Sequence, residues 1–400
     1  MQKLLLLAII ILLAIPTAIA VICHYFDKPK SNQAHFEDAP LAPKLLPIES
    51  GLTLAQTLTQ QGETTTLLVI DQTGESILAI DFFDLGVAYN TDLFDAVAQL
   101  ERSAIIAAIK DETLHKTYSI EQLLPAGGTY ERHIATGTNF IEHAAESNST
   151  EVFNFPKFGQ ATPSRTTVVN HPGFLLDYEV EFCVRFDRDI QTVEDFDAAQ
   201  KGFFLCADFT DRATLVRLID RKNYNSGSGF SDAKSGPDFF PTGPFVVIPN
   251  DWKSFIANER MTTDINGEPR QDARGKEMML DFRQLVERVL DKTNHPERFL
   301  YNNDQTPLII DNTIAKGSAL MSGTSEGVIF MPPSLCVKLA GVGSAIISGQ
   351  ATGIQPIVAT VKEYFIKKEM ASGRFLQVGD TINHGSSSMG DIRIEVKAPH

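Results

Sequence analysis

The stretch Leu176-Asp-Tyr-Glu-Val-Glu-Phe-Cys-Val-Arg-Phe186 alternates without a break. Leu176, Tyr178, Val180, Phe182, Val184 and Phe186 form one apolar row, and Asp177, Glu179, Glu181, Cys183 and Arg185 form the other. Period-two alternation of this length predicts a β-strand with one face in the core. Glu179 and Glu181 then leave the same face, with Cα atoms roughly 6–7 Å apart by the strand rise. Like charges so placed repel each other. Either that face is solvated, or a cation sits between the carboxylates. A hard divalent ion (Mg²⁺, Mn²⁺ or Ca²⁺) is the kind that carboxylate oxygens suit.

The stretch belongs to a chain of 400 residues, enough for a large core and two domains. The formal charge of −15 argues against nucleic acid as a partner and against a polybasic membrane patch. The four cysteines (Cys23, Cys183, Cys206 and Cys336) are scattered and include no CxxC pair. They suggest neither a disulfide framework nor a zinc site, and the last three read as small apolar fillers. Leu4 to Cys23 carries no charge over twenty residues, the length of a bilayer span. Ala18-Ile19-Ala20 also resembles a signal-peptidase site. The expectation is a membrane-anchored or exported protein, extracytoplasmic, with an uncleaved anchor preferred over a cleaved signal.

Residues 24–50 are polar and proline-dotted and read as a linker. A small domain is expected over 51–128. It has β-runs Thr66–Ile70 and Ser76–Ile80 around the turn Asp71–Glu75, and helical spacing over Thr91–Ile109. From 129 to 400 a second organisation follows. His133–Thr136 is a short strand; beyond it His143 and Glu146 stand three apart. On a helix they share a face, so the pair is either a surface contact or a base with its orienting acid. Gly202–Asp208 is a second apolar strand ending in an acid. Asp208 either caps the following helix or joins Glu179 and Glu181 as a third carboxylate. Lys234 sits in a turn-rich segment near strand ends, a common place for a substrate-binding cation. Asn266-Gly267 signals a hairpin, Met278–Leu290 reads as a helix, and Gly317–Gly327 as a β-run.

In this order the motifs resemble the fumarylacetoacetate hydrolase family. The resembling pieces are Gly137-Thr-Asn-Phe-Ile-Glu-His143 with Glu146, Asp177-Tyr-Glu-Val-Glu181, Ala207-Asp208 with Arg212, Lys234-Ser-Gly-Pro-Asp-Phe-Phe-Pro-Thr-Gly-Pro244, Asn266-Gly267-Glu268, Ser322-Gly323-Thr324 and Leu376-Gln-Val-Gly-Asp380. The resemblance implies a β-rich catalytic domain, a mixed β-sandwich roll, and usually a homodimer; with the small N-terminal α/β domain read over 51–128 before it, the fold class is α+β. It implies one divalent cation, Mg²⁺ or Mn²⁺/Ca²⁺, on Glu179, Glu181 and Asp208. It makes His143, supported by Glu146, the residue that activates water. Lys234, Arg212, Gly323 and Thr324 become the residues that contact a small oxo-acid substrate. The implied chemistry is hydrolysis of a C–C bond in a 1,3-dicarbonyl or 2-oxo acid, with decarboxylation, isomerisation or dehydration as family alternatives. A non-catalytic, membrane-tethered metal- and oxo-acid-binding protein is the alternative from another class.

Several positions depart from the family pattern. Leu215 stands where members often carry Gln, Thr136 stands where the fumarylacetoacetate hydrolases proper carry a fourth acidic ligand, and the run Thr210-Asp-Arg-Ala213 has its acid before the arginine. About forty residues, 329–374, replace what is usually a short connection. They include the apolar run Leu335–Ser348, expected to pack against protein beside a dimer contact, and the helical run Thr360–Met370.

Overall fold

Short β-branched and aromatic runs, separated by Gly, Asn and Asp turns, build a strand-rich α+β architecture. The protein's structure is a computed structural model and describes residues 34–147, 149 and 151–399. It begins with β1 (Gly51–Leu58), β2 (Thr64–Thr73) and β3 (Ser76–Asp81), then α1 (Leu93–Ala98), α2 (Arg102–Lys110) and β4 (His115–Ser119). β5 (Arg132–Gly137), α3 (Ile141–Ser147), β6 (Phe153–Phe158), β7 (Arg165–Val169), β8 (Leu176–Asp177) and β9 (Val180–Phe186) follow. Next come α4 (Val193–Ala198), β10 (Lys201–Ala207), β11 (Thr210–Asp211), α5 (Arg212–Leu218), α6 (Phe230–Lys234), β12 (Val246–Pro249) and α7 (Trp252–Asn258). The chain continues through β13 (Arg260–Ile265), β14 (Glu268–Arg274), α8 (Phe282–Leu290), β15 (Phe299–Tyr301), β16 (Asp304–Thr306) and β17 (Leu320–Thr324). It closes with α9 (Leu335–Ile347), α10 (Ile354–Ser372), β18 (Thr381–Ser386) and β19 (Asp391–Lys397).

One large sheet runs β4-β3-β2-β1-β12-β10-β9-β17-β5-β6 and a second runs β14-β13-β18-β19-β7. Most neighbours are antiparallel; β17 with β5 and β19 with β7 are parallel, so both sheets are mixed. Strands β13, β18 and β19 lie against β9 and β10. The core therefore runs from Phe182 and Leu205 to Met261, Ile382 and Ile394, all buried. β9 and β10 sit in mid-sheet with a layer on either side, and that position makes them a rigid platform for the site.

The decisive stretch differs from its expectation in two ways. It breaks after Asp177, because β8 leaves β9 to pair with β11 and the Asp177 carboxylate accepts the Tyr178 N–H. Its polar row is buried as deeply as its apolar one: Asp177, Glu181 and Cys183 have no exposed surface. Arg185 at the far end lies 5.7 Å from the ring of Phe94 on α1. Two like carboxylates removed from water are a stronger demand for a cation than two on a solvated face.

Other elements follow the sequence with shifted ends. Asp71–Thr73 stay in β2 beyond a bulge, so the turn narrows to Gly74-Glu75. The helical spacing of 91–109 splits into α1 and α2, each with its own N-cap position, Asp92 and Glu101. The expected helix from Met278 begins at Phe282, where the Asp281 carboxylate accepts the Gln284 N–H. Asn266 and Gly267 adopt positive φ of 53° and 82° at the β13–β14 turn, as a tight hairpin requires. The inserted run forms α9, whose Val337, Gly341 and Ala345 are buried, packed against α10, which lies on α5. It packs on protein over that face only: Leu335, Leu339, Ile346 and Ile347 are exposed.

The expectation of a membrane-anchored or exported protein is corrected. No helix among the described residues is long and apolar enough to cross a membrane. The segment Leu4–Cys23, on which that expectation rested, lies outside the described residues.

Candidate active site

The ends of β9 and β10 bring three acids together. Glu179, Glu181 and Asp208 each offer a carboxylate oxygen within 4.8 Å of the others, and all three are buried. Among the described residues this is the group with metal-ligand spacing. Asp208 does not cap the helix that follows. Asp211 does, accepting the Ala213 and Thr214 N–H groups at the start of α5, which frees Asp208 for the site.

Protein cations meet most of this charge. The Lys234 ammonium lies 2.7 Å from both Glu179 and Asp208, and the Lys157 ammonium 2.7 Å from Asp208. Arg212 bridges Asp177 at 2.8 Å and Glu179 at 2.5 Å. Burial alone would push Glu179 up, but Lys234, Arg212 and His143 outweigh it and hold the carboxyl below its usual range. Burial works against the Lys234 charge as well, and Asp208 with Glu179 more than offsets it. Lys157 is driven below its ordinary value, by burial above all.

Glu181 has no such cation. One oxygen accepts the Gly323 N–H at 2.8 Å, while Oε1, fully buried, has no hydrogen-bond partner. Burial, then repulsion from Asp208 and Glu179, raises its pKa well above the usual value. Among the described residues, the ion pairs of these acids and Asp177 thus come from three cations, Lys157, Lys234 and Arg212. An orphaned carboxylate oxygen aimed among two other carboxylates is the donor set that a hard divalent cation fits. The residues present therefore fit such an ion.

Beside this cluster, on a cavity that Glu179 also lines, α3 carries the expected pair. His143 Nδ1 lies 3.2 Å from Glu146, whose other oxygen accepts the Gly327 N–H at 3.0 Å. Glu146 is thereby fixed from the backbone, and Nδ1–H donating to it leaves Nε2 as the nitrogen able to take a proton. Asn139 sets α3 in place: its amide spans the Leu280 and Ser322 carbonyls. The cavity, about 320 Å³, is lined by His143, Glu146, Glu179, Arg212, Lys234 and Thr324 at this end.

Gly323 and Thr324 are both used by the protein itself. Gly323, at φ +80°, turns its N–H onto Glu181. Thr324 donates to the Val180 carbonyl and accepts from Gln271. Thr136 lines the cavity with its hydroxyl on the Met321 carbonyl. Leu215 also faces the cavity, buried.

Sequence reasoning missed two features. Lys157 is completely buried beneath Asp208. Its signal lay in Phe153-Asn-Phe-Pro-Lys-Phe158, where alternation sets a lysine in the row of two core phenylalanines. The other is a correction: Cys183 and Cys206 are not separate fillers but a disulfide, with Cα atoms 6.0 Å apart. The register opposes Cys183 to Phe204 and Cys206 to Glu181, so the bond runs diagonally between β9 and β10. Each cysteine stands two residues from a site carboxylate, Glu181 or Asp208, so the disulfide ties together the strands that present them.

The sequence profile described as fumarylacetoacetate (FAA) hydrolase C-terminal matches residues 132–397. No curated protein matches the chain. A solved probable 2-hydroxyhepta-2,4-diene-1,7-dioate isomerase from Mycobacterium abscessus is 17% identical; the match covers 88% of this chain and 99% of that one at a TM-score of 0.51. The fumarylacetoacetate hydrolase of the psychrophilic Exiguobacterium antarcticum is 18% identical, over 87% of this chain and 100% of that one, also at 0.51. At such identity these likenesses show a shared fold. The profile spans well over half of the sequence, and by it this protein belongs to the fumarylacetoacetate hydrolase family.

Proposed function

We propose that the protein is a divalent-metal-dependent hydrolase that cleaves a C–C bond in a 1,3-dicarbonyl or 2-oxo acid of the acylpyruvate type. The observation that carries this reading is the partnerless Glu181 oxygen in the Glu179–Glu181–Asp208 cluster, which reaches the cavity of the His143–Glu146 pair through Glu179. Glu179, Glu181 and Asp208 would hold the cation, with Mg²⁺ as the first candidate. When bound it supplies Lewis acidity, polarising a substrate carbonyl.

The chain's own residues supply the rest. His143 takes a proton from water at Nε2 while Glu146 holds Nδ1–H and balances the charge that develops on the ring. The oxygen of that water adds to the acyl carbonyl carbon. The bond from this carbon to the neighbouring methylene then breaks, and its electron pair remains on the methylene side as an enolate. The Lys234 ammonium, already turned toward the cluster, offers positive charge where the enolate oxygen develops. Protonation of the methylene carbon gives pyruvate, and the acyl group leaves as a carboxylic acid. A homodimer, implied by the family resemblance, belongs to the same proposal and is read by light scattering.

The test is to incubate the full chain with Mg²⁺ and acylpyruvates, oxaloacetate or 2-keto-3-deoxy sugar acids, following pyruvate release. Turnover of an acylpyruvate that is lost in His143→Ala supports the reading. A protein that binds Mg²⁺ and these acids but turns over none of them is a binding protein instead.

A further inference from the structure

Away from the carboxylates, the cavity changes character. Its far wall is built by the inserted segment that the family pattern does not account for: Phe330, Val342 of α9, and Val358, Val361 and Phe365 of α10. Leu215 of α5 faces the same space from the family core, at the position where the family often has Gln. The two helices are held close at Gly341, where an added Cβ would stand 2.8 Å from the Val361 Cα, so no larger residue fits. That approach sets Val342 and Val361 side by side on the cavity. Phe365 is buried in a cluster with Val216 of α5, which anchors the hairpin to the core.

We propose that this hairpin is a specificity wall, and that the substrate is an oxo acid whose acyl end is a long apolar chain lying beneath α9 and α10. The inference rests on the proposed reaction and names the acyl group it cleaves. A small acyl group such as acetyl would leave apolar side chains facing water in this part of the cavity; a chain of several carbons would replace that water with carbon. Three cations also line the cavity. Arg221 is exposed, the Lys362 ammonium donates to the Arg217 carbonyl, and Lys338 is half-buried on α9. They make a diacid of equal length the rival substrate.

The experiment has two arms on the full chain with Mg²⁺. The first compares kcat/KM for acylpyruvates of increasing acyl length and for a diacid of matched length. Each methylene buried under the hairpin is expected to raise kcat/KM about three- to fourfold. The second measures binding of pyruvate and of longer straight-chain 2-oxo acids by calorimetry, which needs no turnover. Val361→Asp should flatten both length dependences while Mg²⁺ affinity stays at the wild-type value; Val342→Thr should flatten them partly and serves if Val361→Asp does not fold. Turnover without length dependence, or a preference for the diacid, overturns the inference and leaves the proposed reaction standing. Affinity that rises with chain length without turnover of any acylpyruvate keeps the inference and overturns the reaction. Affinity independent of length overturns the inference whatever the reaction.

Discussion

Replacing Glu181 by Gln separates the cation's contribution from that of the surrounding fold. In the wild-type protein without metal, Glu181 Oε1 is buried and unpartnered among two other carboxylates. A Gln side chain can keep the Gly323 bond through its oxygen and point its NH₂ at Glu179 and Asp208. It thereby replaces a missing cation with two weak donors. Relieving one unsatisfied buried polar group is worth about 1–3 kcal/mol. Unfolding entropy of about 2.1 cal/mol/K per residue, over 400 residues, makes 1 kcal/mol equal to about 1.2 °C in Tm. Metal-free Glu181→Gln is therefore expected to melt about 1–4 °C above the metal-free wild type. Adding Mg²⁺ at roughly 100 times its Kd should raise the wild type by about 2.7 kcal/mol, or about 3 °C. The variant should gain little, because its site has lost a charge that holds the ion. The assay is scanning calorimetry of both proteins in EDTA and in Mg²⁺. Equal Mg²⁺ shifts in the two would remove Glu181 from the ligand set, and a metal-free variant less stable than the wild type would refute the orphaned-oxygen argument.

Other expectations follow from the same geometry. His143→Ala should cost on the order of 10²–10⁴ in rate while Mg²⁺ binding persists, and Glu146→Gln should cost less, because that side chain only orients and balances the ring; steady-state kinetics with calorimetry checks both. The double variant Cys183→Ala/Cys206→Ala opens a link spanning 23 residues, worth about 3 kcal/mol in the unfolded chain, so its Tm should fall by about 4 °C; an unchanged Tm contradicts this. Glu259 is raised from 4.5 to about 7 by burial, against the Ser388 donors that favour its charged form. The folded protein therefore keeps a proton that the unfolded chain releases. This stabilisation is complete below pH ~4.5 and lost as pH rises to ~7, by about 3 kcal/mol. Glu259→Gln should be more stable than wild type at pH 8 and similar to it at pH 4 in urea unfolding, and a difference independent of pH would contradict the assignment.

The sequence showed the elements better than their depth. Alternation over 176–186 located the strand and both glutamates, but period two cannot tell a face open to water from a face covered by another layer. That second layer, β13 with β18 and β19, is far away in sequence. The spacing of His143 and Glu146 held because a helix turn brings residues three apart together wherever it packs. Partnerships across strands were not visible. The Cys183–Cys206 bond depends on the register of β9 with β10, and Lys157 meets Asp208 across 51 residues of chain. The helix cap likewise belonged to Asp211 rather than to Asp208, a shift of three residues that decides whether a carboxylate serves the backbone or the site. Within the insertion, apolar composition announced burial, yet only the packing of α9 on α10 shows which side faces the cavity and which stays exposed.

The central claim is that water, activated at His143, is added across a C–C bond of an acylpyruvate. The most direct measurement is turnover of such a substrate by the full chain with Mg²⁺ in heavy-oxygen water, with mass analysis of both products. One heavy oxygen is expected in the released carboxylic acid, formed together with pyruvate, and both products should be lost in His143→Ala. Release of carbon dioxide, an isomerised acid of unchanged mass, or a carboxylic acid without the label would contradict it.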